Sequence, residues 1–326
     1  MQAVQVVAPG VAKFVEAAKP ELKPGYALVR TQRVSLCGSD IHMLCYDHPE
    51  KYPFPPGTSG HEMVGVVEAI DAPGSGIKVG DVALTLVRNN MAMAEYYLAP
   101  VEHVMVLPPG KPIEHLLQAQ QLGTIIYASQ RLPNIVDKNV VIIGQGSAGL
   151  WWNFMARRLG AHRVICVDLQ AHRLALSKHY GATHTIHNAN LDANLDAVEG
   201  VREILGGNLA DIVIEAAGEV ETINMALDLV KKYGFVLEFG VPRAHQMSFN
   251  IEKFFGKCLQ MQAIVGATSD PGFSCTWLAM DLIASGVADV GPMLTHHFPF
   301  SQVLDAYELQ QARDEGAVKI VIDMPE

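Results

Sequence analysis

The chain has 326 residues, with 34 Asp and Glu against 24 Lys and Arg. The resulting net charge of −10 excludes a basic nucleic-acid footprint as a global feature. Hydrophobic residues make up 49% and charged residues 18%, a profile that excludes a disordered chain and fits a packed protein of about two domains. Cysteines 37, 45, 166, 258 and 275 are odd in number and widely spaced, which argues against a disulfide framework and for the reducing cytoplasm.

The N-terminus carries no basic segment followed by an apolar one, so no signal peptide is expected. No apolar run reaches the roughly 18 residues of a membrane span. The first third reads as strands and turns. Strands are expected over 26–34, after the turn signal Lys23, Pro24, Gly25, and over 63–70 and 78–87. Beyond Pro112 the pattern changes. One helix is expected over 113–132, then strand 140–143, helix 147–159, strand 164–167 and helix 171–180. Strand 212–214, helix 221–230 and strand 235–239 follow, and the alternation runs to about 266. This rhythm implies a parallel sheet covered on both faces. The last sixty or so residues carry helices over 277–284 and 301–310 and a closing strand over 318–322.

The most specific motif is Gly144, Gly146 and Gly149 in a G-x-G-x-x-G turn that follows a strand and opens a helix. Asp168 ends the next strand about twenty residues later, which completes a dinucleotide fingerprint. Gly144 permits the turn, Gly146 lets the backbone approach the pyrophosphate, and Gly149 allows close helix–strand packing. Ser147 and Ala148 open the helix whose free N–H groups face the phosphates. Asp168 accepts from the ribose hydroxyls and repels a 2′-phosphate, which favours NAD over NADP. Arg173 reads equally as a ribose contact or as a solvated helix residue.

Two clusters precede this motif: Cys37-Gly38-Ser39-Asp40-Ile41-His42 and Gly60-His61-Glu62. Thiolate, imidazole and carboxylate are all zinc ligands, and a catalytic zinc takes three of them and leaves one position open. A hydroxyl linked to a histidine beside such a metal relays protons. A lone cysteine or histidine is more often structural.

Taken in order, the two clusters and the glycine fingerprint resemble the zinc-dependent alcohol dehydrogenases of the medium-chain dehydrogenase/reductase superfamily. The resemblance spans nearly the whole chain. It implies an α/β protein with a β-rich GroES-like catalytic domain (1–125 and 267–326) and a doubly wound Rossmann domain (126–266). By position it implies Cys37, His61 and Glu62 as metal ligands, Ser39 and His42 as proton relay, and Asp40 as the residue orienting His61. It implies NAD and one catalytic zinc as cofactors, and a small alcohol or carbonyl compound as substrate. A homodimer or homotetramer paired through an edge strand over 262–266 is also implied.

Two departures stand out. Residues 81–95 contain no cysteine, so no structural zinc is expected. Where the family places a third strong ligand, this chain reads Ala119-Gln120-Gln121, so Gln120, Gln121 or water completes the site. The missing lobe and the Gly-His-Glu carboxylate lie closer to the polyol branch. A zinc-free reductase and a non-catalytic NAD(H)-binding protein with a decayed metal site are the alternatives. Trp151 and Trp152 read as packing, His296 and His297 as a loop, and Cys166, Cys258 and Cys275 as buried thiols.

Overall fold

In the computed structural model, the described residues are 1–188, 195–264, 266 and 269–325. The chain divides into two compact units, Met1–Gly123 with Ala267–Glu326, and Thr124–Gly266.

In the first unit β1 (Gln2–Ala8) and β2 (Val11–Glu16) form a hairpin. A larger sheet holds β3 (Tyr26–Ser35), β4 (Glu62–Asp71), β5 (Val82–Leu86), β6 (Tyr96–Pro100) and β7 (Val104–Val106). Helices here are short: α1 (Gly38–Ile41), then α2 (Ile113–Leu117), with the longer α3 (Ala119–Ser129) beginning in this unit. The single helix expected over 113–132 is therefore two. The break falls at Gln118, the C-cap of α2, whose side-chain amide donates to Glu114 O at 3.5 Å and to Ser35 Oγ at 3.3 Å.

The second unit is a six-stranded parallel sheet. Its strands are β8 (Asn139–Ile143), β9 (Arg163–Asp168), β10 (His184–His187), β11 (Ala210–Glu215), β12 (Val230–Glu238) and β13 (Gln260–Ala263). They lie in the order β10-β9-β8-β11-β12-β13. Helices α4 (Ser147–Arg158), α5 (Ala171–Ser177), α6 (Leu195–Ile204), α7 (Val220–Leu229) and α8 (Ile251–Gly256) connect them. The order reverses direction at β8, so the turn after β8 sits at the switch point where such sheets bind ligands. Trp151 and Trp152 of α4 are fully buried, as packing residues should be. β13 holds the sheet edge. Val265, within the expected edge strand, and Ala267, at the expected domain boundary, lie outside the described residues.

The chain then completes the first unit with α9 (Ser274–Ala284), β14 (Leu294–Pro299), α10 (Val303–Ala312) and β15 (Lys319–Asp323). His296 and His297 lie on β14, not in a loop; their strand pairs in parallel with β15 and keeps a polar outer face. Cys258 is also corrected. It is exposed, in a left-handed turn at φ 52° ahead of β13, whereas Cys166 and Cys275 are buried.

Candidate metal centre and dinucleotide loop

The register of the first sheet assembles a charged cluster. Ser35, the last residue of β3, pairs with Glu62 of β4 on one side and with Val321 of β15 on the other. Side chains alternate along a strand, so Lys319, two residues before Val321, shares its face. Beyond Ser35 the chain turns into α1 with Cys37 as N-cap, and Gly60 and His61 lead into β4, which begins at Glu62.

Cys37, His61 and Glu62 converge so that one ligand atom of each lies within 4.8 Å of the others. Asp40 organises both segments. Its Oδ2 accepts the Cys37 N–H at 2.8 Å and its Oδ1 accepts the Gly60 N–H at 2.9 Å. The same Oδ1 lies 3.6 Å from His61 Nδ1, while His61 Nε2 lies 4.0 Å from Glu62 Oε1. Asp40 thus faces His61 Nδ1 as an ion-pair neighbour just beyond hydrogen-bond length, and Nε2 faces Glu62.

Glu62 is divided between two roles. Its Oε2 accepts from Ser35 Oγ and sits 2.5 Å from the fully buried Lys319 Nζ. Its Oε1 is buried and has no hydrogen-bond partner.

The electrostatics suit a cation. Burial pushes the Cys37 thiol up and Glu62 adds to this, but the His61 hydrogen bond and the charges of His61 and Lys319 outweigh them and hold it below its ordinary value. Burial opposes charge on His61 as well, yet Asp40 and Cys37 hold it well above the usual imidazole value. Burial raises Asp40, and His61 with the Cys37 and Gly60 N–H groups brings it below the ordinary carboxylate value. The His61 proton thus sits among three acidic groups. A divalent cation would supply positive charge there, with sulfur, nitrogen and the unpartnered Glu62 oxygen as donors. The residues fit such an ion.

Ser39 and His42 stand three apart on the turn after Cys37. Ser39 Oγ is buried without a hydrogen-bond partner, so it is not bonded to His42 here. Gln121 approaches the cluster. Its Nε2 lies 3.8 Å from Cys37 Sγ, and its Oε1 is buried without a hydrogen bond. Lys319 and Ser35 went unnoticed in the sequence. A lysine heading an apolar run, Lys319-Ile-Val-Ile, was the available signal.

In the second unit the glycine turn has the geometry its sequence requires. Gly144 adopts φ 87°, the left-handed region. A Cβ on Gly149 would lie 1.9 Å from Gly144 O, so no other residue fits. A Cβ on Gly146 would meet only Arg173 Nη1, at 3.8 Å, which leaves open space at the N-terminus of α4. Ser147 and Ala148 begin that helix. Asp168 accepts the Gln145 N–H at 2.5 Å through Oδ2 and the Gln170 N–H at 2.7 Å through Oδ1. Gly146, Asp168 and Arg173 thus gather at one end of the sheet. Free helix N–H groups, an open Gly146 cradle and a guanidinium fit a pyrophosphate and its ribose.

Known proteins place this pair of sites in a family. Residues 23–109 match the alcohol dehydrogenase GroES-like domain and residues 148–284 match the zinc-binding dehydrogenase domain. The chain belongs to the zinc-dependent alcohol dehydrogenase family of the medium-chain dehydrogenases/reductases. Among its relatives, sorbitol dehydrogenase 1 of Saccharomyces cerevisiae is 29% identical over 338 residues, spanning 94% of this chain and 93% of that protein. The erythritol/L-threitol dehydrogenase of Mycolicibacterium smegmatis is 28% identical, spanning 97% and 96%. The solved structure of zinc dependent alcohol dehydrogenase 2 from Streptococcus pneumonia shares the fold at TM-score 0.87 and 24% identity, spanning 100% of this chain and 99% of that one.

Proposed function

We propose that this protein is an NAD-dependent dehydrogenase that oxidises the CH–OH group of a polyol or sugar alcohol, or reduces the corresponding carbonyl, at a single zinc ion. The observation that carries the reading is the convergence of Cys37, His61 and Glu62 in a chain that also holds the glycine turn. The polyol names of its relatives support the substrate class.

Cys37, His61 and Glu62 hold the metal, and Asp40 fixes His61. Gly144, Gly146, Ser147, Ala148 and Gly149 form the pyrophosphate cradle, with Asp168 and Arg173 at the adenosine ribose. When bound, zinc would make an alcohol oxygen more acidic and NAD would supply the hydride acceptor. Ser39 and His42 serve as the proton relay: Ser39 Oγ takes the substrate proton and His42 returns it to solvent once a water or a side-chain turn joins the two, which are not bonded to each other here. Gln121, next to Cys37, completes the ligand set or positions a water there.

Asp168 favours NAD because a 2′-phosphate would meet its charge. The exposed edge of β13 supports a homodimer or a dimer of dimers. The cysteine pattern supports a cytoplasmic setting, and none of the described helices is long and apolar enough to cross a membrane.

Protein purified with zinc should carry one ion per chain and oxidise sorbitol-like polyols with NAD at a higher kcat/KM than with NADP. Metal analysis and a polyol panel with both cofactors test this. Turnover in protein shown to hold no metal would overturn the mechanism, and equal use of NADP would overturn the role given to Asp168.

A further inference from the structure

Beneath the glycine turn lies a closed network of neutral polar side chains. Gln145, the residue between Gly144 and Gly146, is fully buried, as are Asn153 of α4, Cys166 of β9 and Ser177 of α5. Gln145 Nε2 donates to Gly144 O at 3.1 Å and to Ile142 O at 3.3 Å. Gln145 Oε1 accepts from Asn153 Nδ2 at 2.8 Å and from Ser177 Oγ at 2.7 Å, the single Ser177 proton being shared with Arg173 O at 2.9 Å. Asn153 Oδ1 in turn accepts from the Cys166 thiol at 3.1 Å. A side-chain amide offers two donors and two acceptor sites, and all four are used. Its orientation is fixed by chemistry, because two carbonyls face the nitrogen while an amide and a hydroxyl face the oxygen.

The consequence falls on one peptide plane. The carbonyl of the Gly144–Gln145 peptide is held by the Gln145 side chain, and its N–H is held by Asp168. Both ends are pinned, so the plane cannot turn over. Gly149 closes the arrangement, since a Cβ there would lie 3.3 Å from Gln145 Nε2 as well as against Gly144 O. The network ties the turn to α4, β9 and α5, the elements that carry Gly146, Asp168 and Arg173.

We propose that Gln145 is a positioning residue for the dinucleotide: with Asn153 and Ser177 it holds the turn in its phosphate-binding conformation before the ligand arrives. A loop already ordered spends less binding free energy on being ordered. The inference rests on reading the turn as a dinucleotide site, and the experiment separates the two. If the wild-type protein binds neither NADH nor ADP-ribose, the dinucleotide reading fails. If it binds and the variants bind equally well, only the role of Gln145 fails.

Dissociation constants for NADH and ADP-ribose are measured on Gln145→Leu, Asn153→Leu and the double variant, below their melting temperatures. Gln145→Leu should weaken both ligands by about 10-fold, the equivalent of one or two net hydrogen bonds. Asn153→Leu should weaken them less, and the double variant should be no weaker than Gln145→Leu alone, because the two residues act as one unit. KM for NAD should rise while kcat at saturating NAD stays within about twofold, as expected when a mutation removes uniform binding. A lowered melting temperature with unchanged dissociation constants would mark the network as structural only and overturn the proposal. If Gln145→Leu does not fold, Ser177→Ala, which removes one contact to Oε1, carries the test. It should weaken NADH about two- to fivefold, a fraction of one hydrogen bond, and an unchanged constant overturns the proposal.

Discussion

The two units prepare their sites by opposite means. In the first, the cluster is built from ionisable groups: Asp40, Cys37, His61, Glu62 and Lys319 crowd together, and each shifts or holds the charge of another. In the second, the glycine turn is shaped by absent side chains and fixed by neutral amides and hydroxyls, with Asp168 as the carboxylate that takes up backbone N–H groups. The difference follows from what each must receive. A dication needs concentrated negative charge with one oxygen left unsatisfied. A pyrophosphate needs free N–H groups and open space.

If the two sites are prepared independently, each should be removable alone. Gly149→Ala should abolish NADH binding, because the new methyl would meet a carbonyl oxygen at 1.9 Å, while zinc content stays at the wild-type level. Cys37→Ser should do the reverse, losing zinc and turnover and keeping the NADH dissociation constant. Fluorescence titration of NADH alongside metal analysis reads both. Loss of both ligands in either variant would break the comparison.

A second test concerns the charged cluster alone. Glu62 and Lys319 are both buried, so Lys319→Met leaves the Glu62 carboxylate without its cation. Removing one partner of such a pair costs on the order of 3–5 kcal/mol, whereas removing both is far milder. Metal-free Lys319→Met should lose about that much unfolding free energy, and Lys319→Met with Glu62→Gln should regain most of it. Equal stability of the single and double variants would show that the pair carries no such weight. No comparable effect is expected for Asn153→Leu, whose partners are neutral.

The same contrast decides what was legible in the sequence. The turn after β8 could be read because its determinants are local. Three glycines, the strand before them and Asp168 all lie within 30 residues, from Asn139 to Asp168. The buried runs Val140–Ile143 of β8 and Val164–Val167 of β9 also announce themselves as unbroken apolar stretches, being covered on both faces. The ligand trio Cys37, His61 and Glu62 was legible only through family resemblance. Its support was not legible, because Ser35 and Lys319 meet Glu62 through the pairing of β3 with β4 and β15, across 284 residues of chain from Ser35 to Lys319. β10 and β14 were overlooked because both are histidine-bearing and half-exposed, which hides the apolar pattern of a strand. Gln145 was visible as a letter between two glycines. Its role depends on Asn153 and Ser177, which helix packing brings together.

The smallest expected effect sharpens the comparison by testing a buried pair of carboxyls in the second unit, Glu238 and Glu215, both raised by burial. Glu238 ends β12 and lies in register with Glu215 of β11. Both of its carboxylate oxygens are buried without hydrogen-bond partners. Burial, and then the charge of Glu215, push it up to about 8 from an ordinary value of 4.5. The folded chain therefore keeps a proton that the unfolded chain releases between those two pH values. The folded state binds the extra proton, so stability from this group is fully present below 4.5 and is lost as pH rises toward 8. Glu238→Gln cannot ionise and should flatten that slope. Relative to wild type, its stability should differ little at pH 5 and should be greater by about 1–3 kcal/mol at pH 8. Comparing melting temperatures across this range isolates Glu238 together with its neighbour Glu215, because the titrations of Cys37, His61 and Asp40 are common to both proteins and cancel. A difference that shrinks as pH rises would mean that Glu238 is ionised in the folded state and held there by a partner. The charged manner of preparing a site would then extend to the second unit as well.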